Sequence, residues 1–361
     1  MKKTIAIIFG GKSAEFEISL MSATNIFNAI DKDKFNPILI GIDKSGKWFY
    51  NADYKKEAID LKKENFFDRA TAIHLSQNNR TIEIIDDATN TILTTLDVVF
   101  PIVHGTYGED GILQGILKSM DIPFVGPDIL GSAIAMDKEV TKRLLKAAGI
   151  PVAASYTLYK HNAEEYAYKE IVATLGLPLF VKPSNAGSSV GVSKVSNEEE
   201  YRRALNEAFL FDNKILIEEA VIGKEIECGV LGNENPKASV VGEIVATKDF
   251  YSYDAKYVSN TDAKLQIPAD IDEATSDKIR EYAVKAFKTI CCEGMARVDF
   301  FLTSDQKLVL NEINTLPGFT AISMYPKLWE KTGIGYTELI TQLIMFAIQR
   351  RERDSQLSIS L

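Results

Sequence analysis

The sequence predicts an α/β protein in which an open, largely parallel sheet comes first and smaller α+β units follow. Two observations carry this reading. The first 42 residues run strand, glycine turn, helix, strand, and another apolar strand returns near residue 96. Beyond residue 150 the strands flank a single helix and then lengthen, closing on a hairpin and late helices. At 361 residues the chain has room for two or three domains.

The elements follow in order. Residues 4–9 (TIAIIF) form a continuous apolar run that stops at Gly10-Gly11, as a strand buried on both faces does. Ile18, Met21, Ile26 and Ala29-Ile30 recur at three- and four-residue spacing and predict a helix, after which residues 37–42 return to a strand. Residues 96–103 (LDVVFPIV) predict another buried strand, 111–120 a short helix and 123–126 a further short strand. Residues 50–95 mix charges around Asn78-Asn79 and read as a hairpin or irregular excursion. A helix carrying Val140, Leu144, Leu145 and Ala148 on one face ends at Gly149. Strands at 179–182, 191–195 and 214–218 surround a helix over 198–211. A hairpin over 295–302 and 308–314 follows, and the last helix spans 336–350. The expected units are residues 1–136, 137–229 and 230–361, with a frayed polar end.

Composition excludes several classes. With 50 acidic against 41 basic residues, the chain offers no broad positive surface for nucleic acid or an anionic membrane, so an anionic ligand must meet locally placed cations. No stretch approaches the roughly 20 apolar residues of a membrane span, and the apolar run after Lys2-Lys3 is too short for a signal peptide. A cytoplasmic protein is expected. Cys228, Cys291 and Cys292 read as reduced thiols.

The most informative chemistry lies in the late hairpin. Period-two geometry puts Arg297 and Asp299 on one face of its first strand, and Glu312 and Asn314 on one face of its second. If those faces coincide, two carboxylates and an amide oxygen converge, an arrangement that calls for a hard cation such as magnesium. Solvated edge positions would carry the same residues, but Val298, Phe300, Val309, Leu310 and Ile313 flank them with apolar neighbours. Residues 314–320, punctuated by Pro317 and Gly318, form a loop able to turn N–H groups toward an oxyanion, although a plain turn has the same composition.

A second feature is the loop 182–191 (KPSNAGSSVG), whose small residues let main chain close over phosphate oxygens as readily as they form a plain turn. It lacks the Gly-Lys-Ser/Thr of a Walker A loop. Lys138 at a helix start and Lys182 at a strand end offer two cations to the same phosphates, and either would equally suit a solvated surface. Glu218 and Glu219 end a strand beside small apolar residues, as a nucleotide edge would, although simple solvation also suits them and Glu225. Residues 250–257 (FYSYDAKY) read as an aromatic lid or as a packed surface meander. Gly10-Gly11 lacks dinucleotide spacing, and His104 at a strand end suits hydrogen bonding better than metal ligation.

Taken in order, GGKSAE, HGTYGEDG, MDK, KPSNAGSSVG, IEE with GKEIE, YDAKY, ARVDF and NEINTLPGFTAISMYP resemble the D-alanine:D-alanine ligase family of the ATP-grasp superfamily, across essentially the whole chain. The resemblance implies a three-domain ATP-grasp architecture and an ATP-dependent joining of two D-alanines through an acyl phosphate, for peptidoglycan synthesis. It implies that Lys138, Lys182 and Lys256 meet the ATP phosphates, and that Glu218, Glu219, Val221 and Glu225 form the nucleotide edge. Asp299, Glu312 and Asn314 are implied ligands of magnesium or manganese, two ions being expected. Glu15 is implied to hold the first substrate's ammonium, with Ser188 and Tyr257 linked to it, while Arg297 and Gly318 stabilise the oxyanion. His104, Ser323 and Met324 fall with the substrate-side residues. A homodimer is expected. D-serine or D-lactate as second substrate, or a nucleotide-binding module without chemistry, are the competing readings.

Overall fold

The computed structural model describes residues 2–52, 54, 58–79, 81–187, 190–246 and 263–358. Its first sheet has seven strands: β1 (Lys3–Gly10), β2 (Phe35–Ile42), β3 (Trp48–Tyr50), β4 (Thr71–Asn78), β5 (Thr81–Asp86), β6 (Ile92–Leu96) and β7 (Val98–Pro101), in the order β6-β5-β4-β3-β2-β1-β7. β1 lies parallel to both β2 and β7, with Ile5 opposite Pro37 and Val98. As its unbroken apolar run requires, Ile5 through Phe9 are fully buried.

The stretch expected to be an excursion is instead sheet. β4, β5 and β6 form an antiparallel meander that continues the parallel core outward. Ile73, Ile82, Ile84 and Leu96 face inward with polar residues between them, a two-residue alternation that the surrounding charges obscure. The strand expected at 123–126 reduces to a single bridge between Val99 and Phe124, because Gly126 turns the chain away at φ +92°.

Helices α1 (Phe16–Ala29) and α2 (Ile112–Ser119) belong to this part of the chain, and α3 (Ile129–Met136) and α4 (Lys138–Ala147) lead out of it. The second sheet runs β10-β9-β11-β8, built from β8 (Ser155–Tyr159), β9 (Leu179–Pro183), β10 (Ser193–Val195) and β11 (Lys214–Glu219) with α5 (Tyr168–Leu175) and α6 (Glu198–Ala208). The third runs β14-β13-β12-β15-β16, from β12 (Gly223–Gly232), β13 (Lys237–Ala246), β14 (Ala263–Gln266), β15 (Gly294–Thr303) and β16 (Leu308–Asn314). Helices α7 (Glu273–Thr289), α8 (Met324–Thr332) and α9 (Tyr336–Asp354) complete the described chain. The expected division at 229/230 falls inside β12, which pairs with β15 from Gly223 opposite Thr303 to Gly232 opposite Gly294. The sheets change instead over residues 220–222.

α9, within the expected third unit, packs against the first. Its Leu339, Ile340, Leu343 and Ile344 enter one core with Ile5, Ile7 and Phe100 of the first sheet. Each such side chain contributes about 1.5–3 kcal/mol of burial as an upper estimate. Arg350 fastens the same helix: its guanidinium donates to the carbonyls of Gly126 (2.6 Å) and Phe124 (2.7 Å) and stacks 4.5 Å over the Phe124 ring. Among the described residues no helix is long and apolar enough to cross a membrane.

Candidate active site

The site is a cleft of about 400 Å³ whose lining comes from all three sheets and the loops that leave them. Its first wall is the late hairpin. Asp299 lies directly opposite Glu312 and Arg297 opposite Asn314, so the two carboxylates are cross-strand neighbours on one face, as the sequence predicts. On the other side of β15, Glu227 is paired with Asp299, which extends the acids into a row across three strands. Glu227 escaped the sequence reading, although its period-two spacing from Glu225 was the available signal. Arg297 answers this row. Its Nε and Nη2 donate to the two oxygens of Asp299 at 2.8 Å each, and Nε stands 2.9 Å from Glu227 Oε2.

Asn314 Nδ2 donates to Asp299 Oδ2 at 2.9 Å, which leaves its amide oxygen as an acceptor. Among the described residues no three His, Cys, Asp or Glu side chains gather in ligating geometry. What the hairpin supplies is two carboxylates and an amide oxygen, an all-oxygen set suited to magnesium, which uses one or two carboxylates and completes its shell with water and phosphate.

The second wall is cationic. Asp137 caps α4 by accepting from Val140 N, accepts from Ser184 Oγ (2.8 Å) and pairs with Lys214. Lys138 then follows at the first helical position, its Nζ donating to Ala186 O (2.6 Å) and its N–H to Ser184 O (3.1 Å). Asp212 secures the next residue, accepting from both the backbone and the side-chain nitrogen of Asn185. The first half of the glycine-rich loop is thereby tied to the helix that carries Lys138.

Behind this loop Lys182 reaches Glu218 Oε2 at 2.8 Å, and Lys142, unnoticed in the sequence, reaches Oε1 at 3.1 Å. Burial works to raise the Glu218 carboxyl, but the two lysines hold it below its ordinary value; burial pulls Lys142 below its own, against the attraction of Glu218. Glu218 and Glu219, expected at the nucleotide edge, line the cleft with their carboxylates already engaged. Glu218 is committed to lysines, and Glu219 Oε1 accepts from Ala154 N at 2.7 Å because β11 ends beside residue 154. Val221 and Glu225 line the cleft.

The third wall comes from the first sheet's loops. Glu15, buried just before α1, is confined on two sides by glycines. A Cβ on Gly105 would lie 2.7 Å from Glu15 Oε2, and one on Gly187 would lie 3.1 Å from it. His104, also buried, has Nε2 3.1 Å from Ser22 Oγ, Nδ1 3.1 Å from Leu316 O and Glu109 at 3.5 Å. Burial opposes protonation of this ring, yet the Glu109 carboxylate leaves it above the usual imidazole value. Ser22 Oγ also accepts from Phe319 N, so His104 and Ser22 fasten the first unit to the loop that bears Gly318. Gly318 lines the cleft.

Two further expectations change. Ser323 bonds to Thr320 through both its N–H and its hydroxyl, within hydrogen-bond distance, and stands behind Gly318 rather than in the lining. Met324 does not face the cleft, because the start of α8 packs it among Ile244 and Leu328 under β13. Ser188, Lys256, Tyr257 and the aromatic loop 250–257 lie outside the described residues.

An open α/β unit followed by two sheets that close on lysines, buried carboxylates and a glycine-rich hairpin loop defines an ATP-grasp ligase. Residues 4–127 match the family model described as D-ala D-ala ligase N-terminus, and residues 144–345 match that of the D-ala D-ala ligase C-terminus. The chain belongs to the D-alanine:D-alanine ligase family. It is 54% identical to the D-alanine--D-alanine ligase of Oceanobacillus iheyensis, covering all of this chain and 99% of that one. Identity to D-alanine--D-alanine ligase A of Escherichia coli K12 is 52%, with both chains fully covered. Of solved structures, the D-alanine-D-alanine ligase from Coxiella burnetii aligns at TM-score 0.88 and 38% identity, over 98% of this chain and 96% of that one. VanG D-Ala:D-Ser ligase from Enterococcus faecalis aligns at 0.85 and 39%, over 96% and 100%.

Proposed function

We propose that this chain joins two D-alanine molecules into D-alanyl-D-alanine, with ATP converted to ADP and phosphate. The observation that carries the reading is the convergence, in one cleft, of Glu15, Arg297 and Gly318 with Lys138, Lys182 and Glu312, whose cross-strand neighbour is Asp299. A carboxylate oxygen of the first D-alanine takes the γ-phosphoryl group and ADP leaves. The amine of the second then attacks the acyl carbon, loses a proton and expels phosphate. Glu15 holds the ammonium of the first substrate. Arg297 and the Gly318 N–H stand where negative charge develops, the term that usually dominates such catalysis. Lys138 and Lys182 receive the phosphates together with Lys256, Val221 lies along the adenine, and Glu225 serves the ribose. Ser188 and Tyr257 complete the network around Glu15.

Asp299, Glu312 and Asn314 would hold magnesium or manganese, as two ions, and the metal would supply neutralising charge between phosphate oxygens. The reading includes three units divided near residues 136 and 222, a cytoplasmic setting, and a homodimer formed through the exposed Ile112, Ile116, Ile129 and Leu130 on α2 and α3. D-alanine is the acceptor in this reading; the likeness to a D-Ala:D-Ser ligase makes D-serine the alternative worth offering. ADP release measured with D-alanine, D-serine and D-lactate in turn tests this. Turnover with D-alanine alone is expected, and no ADP release with D-alanine at any magnesium concentration would end the proposal.

A further inference from the structure

The lysine wall holds more charge than pairing requires. Lys142, Lys182 and Glu218 are all less than a tenth exposed, and a single carboxylate stands between two ammonium groups. Lys182 and Glu218 line the cleft; Lys142, one turn beyond Lys138 on α4, sits behind them with Ala153 O as its other partner at 3.4 Å. Carrying an ammonium into such a position strips it of water, a penalty that an apolar side chain filling the same space would avoid. With Lys182 and Glu218 alone, the pair would be closed and neutral, and a polyphosphate would have to draw Lys182 away from its partner. Lys142 changes that count: two cations share one anion, and the trio keeps a net charge of +1.

We propose that Lys142 is a positioning residue for nucleotide binding, which occupies one oxygen of Glu218 so that Lys182 stays available to the phosphates. The inference rests on the nucleotide reading of the cleft. It acts through buried charge, where screening is weak.

The test is binding of magnesium-ADP to the full chain by titration calorimetry, with kcat and the KM for ATP measured alongside. Lys142→Met, which leaves the trio neutral, should bind magnesium-ADP roughly tenfold or more weakly, with the loss in KM for ATP rather than in kcat. Lys142→Met combined with Glu218→Gln restores the net charge of +1 and should recover most of that affinity, whereas a purely structural role predicts that the second substitution makes matters worse. Lys142→Arg, the variant least disturbing to folding, should keep binding close to that of the unsubstituted chain. Unchanged affinity in Lys142→Met, no recovery in the double variant, or a loss in Lys142→Arg equal to that in Lys142→Met would each overturn the proposal. If the unsubstituted chain takes up no magnesium-ADP, the nucleotide reading itself falls and this inference with it.

Discussion

Gly105→Ala puts the confinement of Glu15 to the test. The new Cβ would lie 2.7 Å from Glu15 Oε2 and 2.9 Å from Ser13 Oγ, on backbone at φ +77°. The left-handed conformation alone costs an alanine about 1–2 kcal/mol. To regain ordinary contact the carboxylate oxygen must retreat by about 0.7 Å, and Gly187, whose own Cβ position is only 3.1 Å from that oxygen, narrows the way out. A displacement approaching 1 Å in a substrate-holding group can cost on the order of a hundredfold in rate. Steady-state assays of ADP release should therefore show kcat/KM for D-alanine falling by roughly 10- to 100-fold, while the KM for ATP stays within about threefold, since the lysine wall is untouched. Urea unfolding should show the loss of about 1–2 kcal/mol. A variant destabilised by that amount yet unchanged in kcat/KM for D-alanine would show that Glu15 does not hold the substrate.

Asp299→Asn and Glu312→Gln should each lower magnesium-dependent turnover by about a hundredfold or more while circular dichroism remains that of the folded chain; normal ADP release in either would remove the metal site from the hairpin. His104, held above the usual imidazole value chiefly by Glu109 against burial, adds stability that is complete below pH 6.5 and fades as pH climbs through the raised value. His104→Gln should accordingly flatten the stability curve above pH 6.5, and an unchanged slope in urea titrations would refute the assignment. Leu343→Ala, at a position 1% exposed in the core shared by α9 and the first sheet, should cost about 2–5 kcal/mol by urea unfolding, and a loss under about 0.5 kcal/mol would contradict the packing.

The parts of the fold that follow from local pattern were legible in the sequence. Ile5 through Phe9 are apolar without interruption, and the hairpin's alternation puts Asp299 on one face with Arg297 and Glu312 on one face with Asn314, leaving only whether those faces meet, which the pairing of Asp299 with Glu312 answers. Long-range pairing was not legible. The meander from β4 to β6 hides behind charged residues on its outer face, and nothing in the periodicity of α9 says that its apolar stripe meets β1 rather than β12. The same limit governed the site. Glu15 entered through the family resemblance, and Lys138 and Lys182 through their places at a helix start and a strand end, whereas Lys142 looks like any helical lysine until Glu218 is brought beside it from a strand some 75 residues later. Met324 failed in the other direction, since a motif's neighbour can be core.

The docking of α9 on the opening sheet bears on how the molecule is made. A ribosome releases β1 and β7 long before the helix that covers them, so the nascent sheet must wait with its apolar face unsealed until nearly the whole described chain has emerged. Removing residues 336–354 would leave that condition permanent, and the shortened chain should aggregate during synthesis rather than persist as a folded, slower enzyme.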